Sequence, residues 1–243
     1  MDFLDFKEKF TTALEENTVV VELTNARIEK LYELTKIMLE VNRSMNLTAI
    51  TDEDAIILKH YVDSLTVSSY IPQNATVIDV GCGAGFPCVP LAIFREDLKI
   101  TALDSTAKRI RYIDDTANKL GIANITPIAA RAEELGEQIE YREHFEIATA
   151  RAVAALPILS ELCLPFVKIG GKFIAMKASQ GLQEANDAQN AIRLCGGSIG
   201  AVDKLVLKAP QSTEERTIIS VSKVSSTPSK YPRHYSQITK KPL

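Results

Sequence analysis

The sequence predicts an α/β fold: a mainly parallel, seven-stranded sheet covered on both faces by helices and preceded by a helical amino-terminal extension. Three observations carry this. Apolar residues recur at helical spacing up to Pro72. From Thr76 onward, short β-rich runs alternate with helical stretches, the pattern of strand–helix–strand crossovers. A loop with three glycines follows the first of those runs at once, as a buried strand entering a tight turn would require.

In order, Phe3, Phe6, Phe10 and Leu14 lie three or four residues apart and predict a first helix. Ile28, Leu31, Thr35, Met38 and Leu39 predict a second, capped by Thr24 or Asn25 and broken over Asn42 to Asn46. A third begins near Thr51 or Asp52 and passes through His60 and Leu65, which puts His60 and Asp63 on one face as an internal pair or a domain contact. Pro72, Gln73 and Asn74 mark a boundary. Strands are expected at 76–80, 98–103, 124–128, 145–149, 172–176, 201–207 and 216–224, the last two joined by a polar turn over Pro210 to Glu215. Helices are expected at 87–94, 106–120 (closed by Gly121) and 182–194. The chain thus divides into a helical region 1–72, an α/β domain 73–224 and a basic tail 225–243. Pro228, Pro232 and Pro242 oppose regular structure in that tail, so it is expected to lie along the surface.

The chain has 243 residues, 46% of them hydrophobic, enough for a large core. The start, MDFLDFKEKF, is acidic and amphipathic rather than basic-then-apolar, and no apolar run spans a bilayer, so a cytoplasmic protein is expected. Matches to the glycosylation pattern at Asn42, Asn46, Asn74 and Asn124 carry no weight without a secretory route. Cys82, Cys88, Cys163 and Cys195 lack zinc spacing and read as reduced, mostly buried thiols. His60, His144 and His234 are far apart, so no metal is expected. The net charge of −3 argues against indiscriminate coating of nucleic acid. From Lys223 onward, however, Lys223, Lys230, Arg233, Lys240 and Lys241 have no acidic residue among them. The rest of the chain stands at −8 (−3 − 5), so the tail either meets phosphate or is simply soluble.

The sharpest chemical signal is VIDVGCGAGFPCVP. Gly81, Gly83 and Gly85 alternate after the first strand, where glycine permits positive φ and lets a ligand approach the backbone. Such a loop at the carboxyl end of a parallel strand is a nucleotide pocket or, more plainly, a tight structural turn. The dinucleotide fingerprint GxGxxG would place glycine where Phe86 stands, and no P-loop is present. Asp104 ends the second strand, 19 residues after Gly85 (104 − 85), where a carboxylate accepts hydrogen bonds from both ribose hydroxyls of an adenosine or caps the next helix. The shorter GxGxG form resembles motif I of class I S-adenosylmethionine-dependent methyltransferases, whose loop holds the amino-acid end of a cofactor without pyrophosphate.

Several further blocks occur in order: MNLTAI, LKHYVDSL, DVGCGAGFP, LDSTAKRIRYI, RAEELG, TARAVA, LSELCLPFVKIGGKFIAMK and YPRHYSQITKKPL. Together they resemble the ribosomal small-subunit methyltransferase G family, formerly glucose-inhibited division protein B, over almost the whole chain beyond the first helix. Cys88 stands where glycine is commoner in that family. The resemblance implies a Rossmann-like class I methyltransferase that methylates N7 of a guanine in the decoding-region loop of bacterial 16S rRNA, using S-adenosylmethionine. It implies donor contacts at Gly81 and Phe86, adenine contacts at Ala132 and Glu133, and an active-site or structural role for Arg151. N7 carries no proton, so no catalytic acid or base is expected.

Candidate RNA contacts are Arg151 and Lys177 after successive strands, Lys108, Arg109 and Arg111 on a helix, and Lys230, Arg233, Lys240 and Lys241 in the tail. Tyr231 and Tyr235 either stack on bases or pack the tail down. The expected partner is 16S rRNA, free or in an assembling subunit, and the expected state is a monomer. A methyltransferase for a small molecule or protein, an RNA-binding protein with a vestigial pocket, and an NAD-dependent oxidoreductase are the competing readings.

Overall fold

The computed structural model describes residues 2–209 and 212–243. Its sheet contains β1 (Thr76–Val80), β2 (Lys99–Asp104), β3 (Ile125–Ala129), β4 (Phe145–Arg151), β5 (Val167–Lys177), β6 (Gly197–Ala209) and β7 (Ser212–Lys223). Their order is β3-β2-β1-β4-β5-β7-β6. The first five are parallel, and β7 runs antiparallel to both β5 and β6. Crossovers leave β1 toward β2 and β4 toward β5, in opposite directions. A crevice therefore opens outside the carboxyl ends of β1 and β4, the usual ligand position in an open α/β sheet.

Strand residues alternate between two cores. Val77, Ile100, Ala102, Ile147 and Ile174 face one side; Ile78, Val80, Ala148, Ala150 and Phe173 face the other. The first side is covered by α1 (Phe3–Glu16), α2 (Asn25–Met45), α5 (Cys88–Phe94), α6 (Ala107–Leu120) and one compound helix. That compound helix is α3 (Glu53–Ile56), a π-helical stretch at Ile57–Val62 and α4 (Asp63–Leu65). The helical amino-terminal region shares one continuous core with the sheet: Phe10 packs on Phe94, and Tyr61 on both Phe6 and Phe86. The second side carries α7 (Ala132–Leu135), α8 (Leu156–Cys163), α9 (Gly181–Asp187), α10 (Gln189–Leu194) and α11 (Tyr235–Lys240). All four cysteines are buried and free. Among the described residues no helix is long and apolar enough to cross a membrane.

Several local expectations are corrected. α2 ends inside the expected stretch 42–46, at Met45, where Asn46 takes a left-handed φ of 49°; Asn42 is still helical and is not itself the breaker. Instead, the Asn42 side chain donates to Thr48 O and accepts from Thr48 N, both at 2.9 Å, and so fixes the following loop. Pro87 precedes α5 rather than opening it. The single helix expected at 182–194 is two, α9 and α10, separated at Ala188. The last strands are longer than expected. Of the turn placed at 210–215, Pro210 and Gln211 lie outside the described residues, while Thr213, Glu214 and Glu215 pair with β6.

The tail is not merely draped on the surface. α11 fits between Pro232 and Pro242, and Tyr231 and Ile238 are buried in the second core. Arg142 clamps the tail by donating to Thr227 O (2.7 Å), Tyr231 O (3.0 Å) and Pro228 O (3.3 Å). Glu161, fully buried on α8, accepts from Arg233 N, Nε and Nη2 at 2.8, 2.8 and 2.6 Å.

Candidate active site

The crevice is a cleft of about 990 Å³ at the carboxyl ends of β1, β2 and β4. Its floor is the glycine loop. Gly81, Gly83 and Gly85 have φ of 74°, 57° and 92°, all in the region costly for side chains. The Gly81 and Cys82 amides donate to Leu103 O at 2.7 and 3.0 Å, and Gly85 N donates to Cys82 O at 2.8 Å. A Cβ on Gly85 would stand 2.7 Å from Val89 Cγ2, so that position is closed from below. A Cβ on Gly83 would meet only Gly81 O, at 3.9 Å; Gly83 has open space above it, as a ligand cradle needs.

Asp104 closes one end. Its Oδ2 accepts from Gly83 N at 3.0 Å and its Oδ1 from Thr106 N at 2.7 Å, with Arg109 3.7 Å away. Asp104 thus steadies the entry to α6, and it also lines the cleft. Ala132 and Glu133 lie beside it on α7. Glu133 Oε1 is buried and, among the described residues, has no hydrogen-bond partner; the Arg131 guanidinium is 3.9 Å away. Arg131 also lies over the Tyr235 ring at 5.8 Å, which brings α11 to the rim.

The other end is built partly by the amino-terminal region. His60 stacks face to face on Phe86, centroids 4.3 Å apart and planes 5° apart, and shares a hydrogen bond with Thr48 Oγ1 at 2.9 Å. Burial, helped by the nearby Arg151 charge, lowers the His60 pKa to about 3, so the ring is neutral near pH 7. Arg151 lies over the Phe86 ring at 5.4 Å and donates to Asp63 Oδ2 at 3.0 Å and Lys59 O at 2.8 Å. His60 and Asp63 are thus not a pair: the carboxylate goes to Arg151 and Arg216.

Gly81, Gly83, Phe86, Asp104, Ala132, Glu133 and Arg151 all line the one cleft, whereas Gly85 supports it from beneath. The RNA candidates are scattered. Arg109, Arg151 and Lys177 line the cleft, and Lys108 and Arg111 are exposed on α6. Lys177 is not a free cation: it is buried, bonded to Ala154 O at 2.5 Å and paired with Glu184 at 2.7 Å. Arg233 is committed to Glu161, and Lys223, counted in the basic tail, is buried against Glu143 and Leu164 O. Lys230, Lys240 and Lys241 remain exposed.

Sequence reasoning missed Asp79. It is buried under the loop, accepting from Cys88 N at 3.2 Å and Thr149 Oγ1 at 3.0 Å. Burial raises its pKa to about 6 against the opposing hydrogen bonds and Arg151. The available signal was a carboxylate inside the otherwise apolar strand VIDV. Thr48, Arg131, Glu184 and Arg216 were missed too, because only the fold brings them to the cleft.

The fold is shared with a SAM-dependent methyltransferase from Aquifex aeolicus, at a TM-score of 0.53 and 16% identity, covering 77% of this chain and 97% of that one. Sequence similarity is far closer elsewhere. A ribosomal RNA small subunit methyltransferase G from Geobacillus sp. (strain WCH70) is 44% identical over 238 residues, covering 97% of this chain and 98% of the relative. One from Lactobacillus delbrueckii subsp. bulgaricus is 45% identical over 212 residues, covering 86% and 88%. The profile of the rRNA small subunit methyltransferase G family matches residues 27–214. With that match and those relatives, the chain belongs to the rRNA small subunit methyltransferase G family.

Proposed function

We propose that this chain methylates N7 of a guanine in the decoding-region loop of 16S rRNA, with S-adenosylmethionine as donor. The observation that carries the reading is one cleft, at the switch point of the sheet, that joins an open glycine cradle to a ribose-type carboxylate and a charged, aromatic wall. The residues present fit the donor. Gly83 leaves room for a ligand over the backbone, Asp104 keeps acceptor capacity beyond its two amide bonds, and the Glu133 oxygen awaits a donor group. Gly81 and Phe86 would hold the amino-acid end, Asp104 the ribose hydroxyls, and Ala132 with Glu133 the adenine edge.

When bound, S-adenosylmethionine would supply an electrophilic methyl carbon for the N7 lone pair, with the sulfur keeping the electrons of the broken bond and the purine taking the positive charge. The protein's part is therefore to align and to exclude water, with no proton to remove. Neutral His60 and Phe86 wall the cleft without adding positive charge, and Arg151 would orient the base from beside them. Exposed Lys108, Arg111, Lys230, Lys240 and Lys241 are free to meet phosphates.

The test is to incubate the protein with labelled donor and 16S rRNA, naked and in partly assembled small subunits, and to map the label. Label at guanine N7 is expected; no labelled RNA in either form would refute the reading.

A further inference from the structure

Asp63 is 4% exposed and receives two guanidinium groups from distant elements. Its Oδ2 accepts from Arg151 Nη1 of β4 at 3.0 Å and its Oδ1 from Arg216 Nε of β7 at 3.2 Å. Arg216 also pairs with Glu214 at 2.7 Å, and Glu214 with Lys59. The wall of the cleft is thus an alternating chain, Lys59–Glu214–Arg216–Asp63–Arg151, with three positive and two negative groups and a residual charge of +1 (3 − 2). Without the Asp63 charge the same wall would carry +2, and the two guanidinium groups would lose the one carboxylate they share.

We propose that Asp63 is a positioning residue for methyl transfer: it pins Arg151 beside Phe86, and its charge lets this wall share the cleft with a cationic donor. The inference rests on the donor reading above. Its physical basis is that the bound ligands stay cationic throughout. The sulfonium is positive before transfer and the methylated purine after it, while demethylated S-adenosylhomocysteine is neutral. A buried carboxylate on this wall therefore favours the donor over its by-product, whereas a merely structural contact would affect both ligands alike.

The test is titration calorimetry of S-adenosylmethionine and S-adenosylhomocysteine on the full chain, comparing wild type with Asp63→Asn. The near-isosteric amide is expected to weaken the cationic ligand about fivefold more than the neutral one. Asp63→Asn combined with Arg216→Gln removes one charge of each sign and is expected to bring the affinity ratio back toward the wild-type value. Equal weakening of both ligands, or no change in either, overturns the proposal. If Asp63→Asn does not fold, Arg216→Gln alone carries the test: it should shift the ratio about fivefold in the donor's favour, and an unmoved ratio refutes the charge argument. Wild-type protein that binds neither ligand would instead sink the donor reading itself, leaving Asp63 out of the question.

Discussion

Replacing Asp104 by Asn removes a charge while keeping the shape of the side chain. In the folded protein each carboxylate oxygen is already used, Oδ2 by Gly83 N at 3.0 Å and Oδ1 by Thr106 N at 2.7 Å. Both oxygens keep a second lone pair for a ligand hydroxyl. An amide has one oxygen, so one of the two backbone amides would face an NH2 group that cannot accept. Whichever way the side chain turns, either the cradle loosens at Gly83 or the entry to α6 loosens at Thr106. Charge-assisted bonds to ribose would also become neutral ones. Together these losses amount to about 2 kcal/mol of donor affinity, or about 30-fold in Kd. Calorimetry with S-adenosylmethionine measures this directly, and circular dichroism checks that the sheet is intact. A folded Asp104→Asn protein with a Kd within roughly threefold of wild type would refute the role of the carboxylate.

Glu161→Ala should cost about 3 kcal/mol of stability, because a buried carboxylate that accepts three bonds from Arg233 is lost together with the anchor of α11. Urea unfolding checks this, and a midpoint equal to wild type would mean that the tail is held without the pair. For Asp79, the folded pKa of about 6 lies above the ordinary 3.8. Folding therefore favours the protonated form, and the stability this group allows falls as pH rises through that interval. Asp79→Asn escapes the penalty, so its stability relative to wild type should improve by about 2 kcal/mol between pH 4 and pH 7. A difference independent of pH would show that Asp79 ionises in the fold as easily as in the unfolded chain.

Features that depend on neighbours along the chain were legible in the residues alone. Strand and helix alternation, the cradle of Gly81, Gly83 and Gly85, and Asp104 at the end of β2 are local patterns, and each lies where its spacing puts it. Boundaries slipped where a local rule met a tertiary partner. The helix expected at 182–194 divides at Ala188, and the tail prolines flank a helix rather than forbid one. Which charges are free was settled by the folded arrangement. Lys177, Arg233 and Lys223 read as basic surface, yet each is spent on Glu184, Glu161 or Glu143, and Asp63 meets Arg151 across 88 residues of chain. The physical reason is that a charge acts through space: its partner is chosen by the path of the whole chain, whereas a turn or a strand is chosen by the few residues beside it.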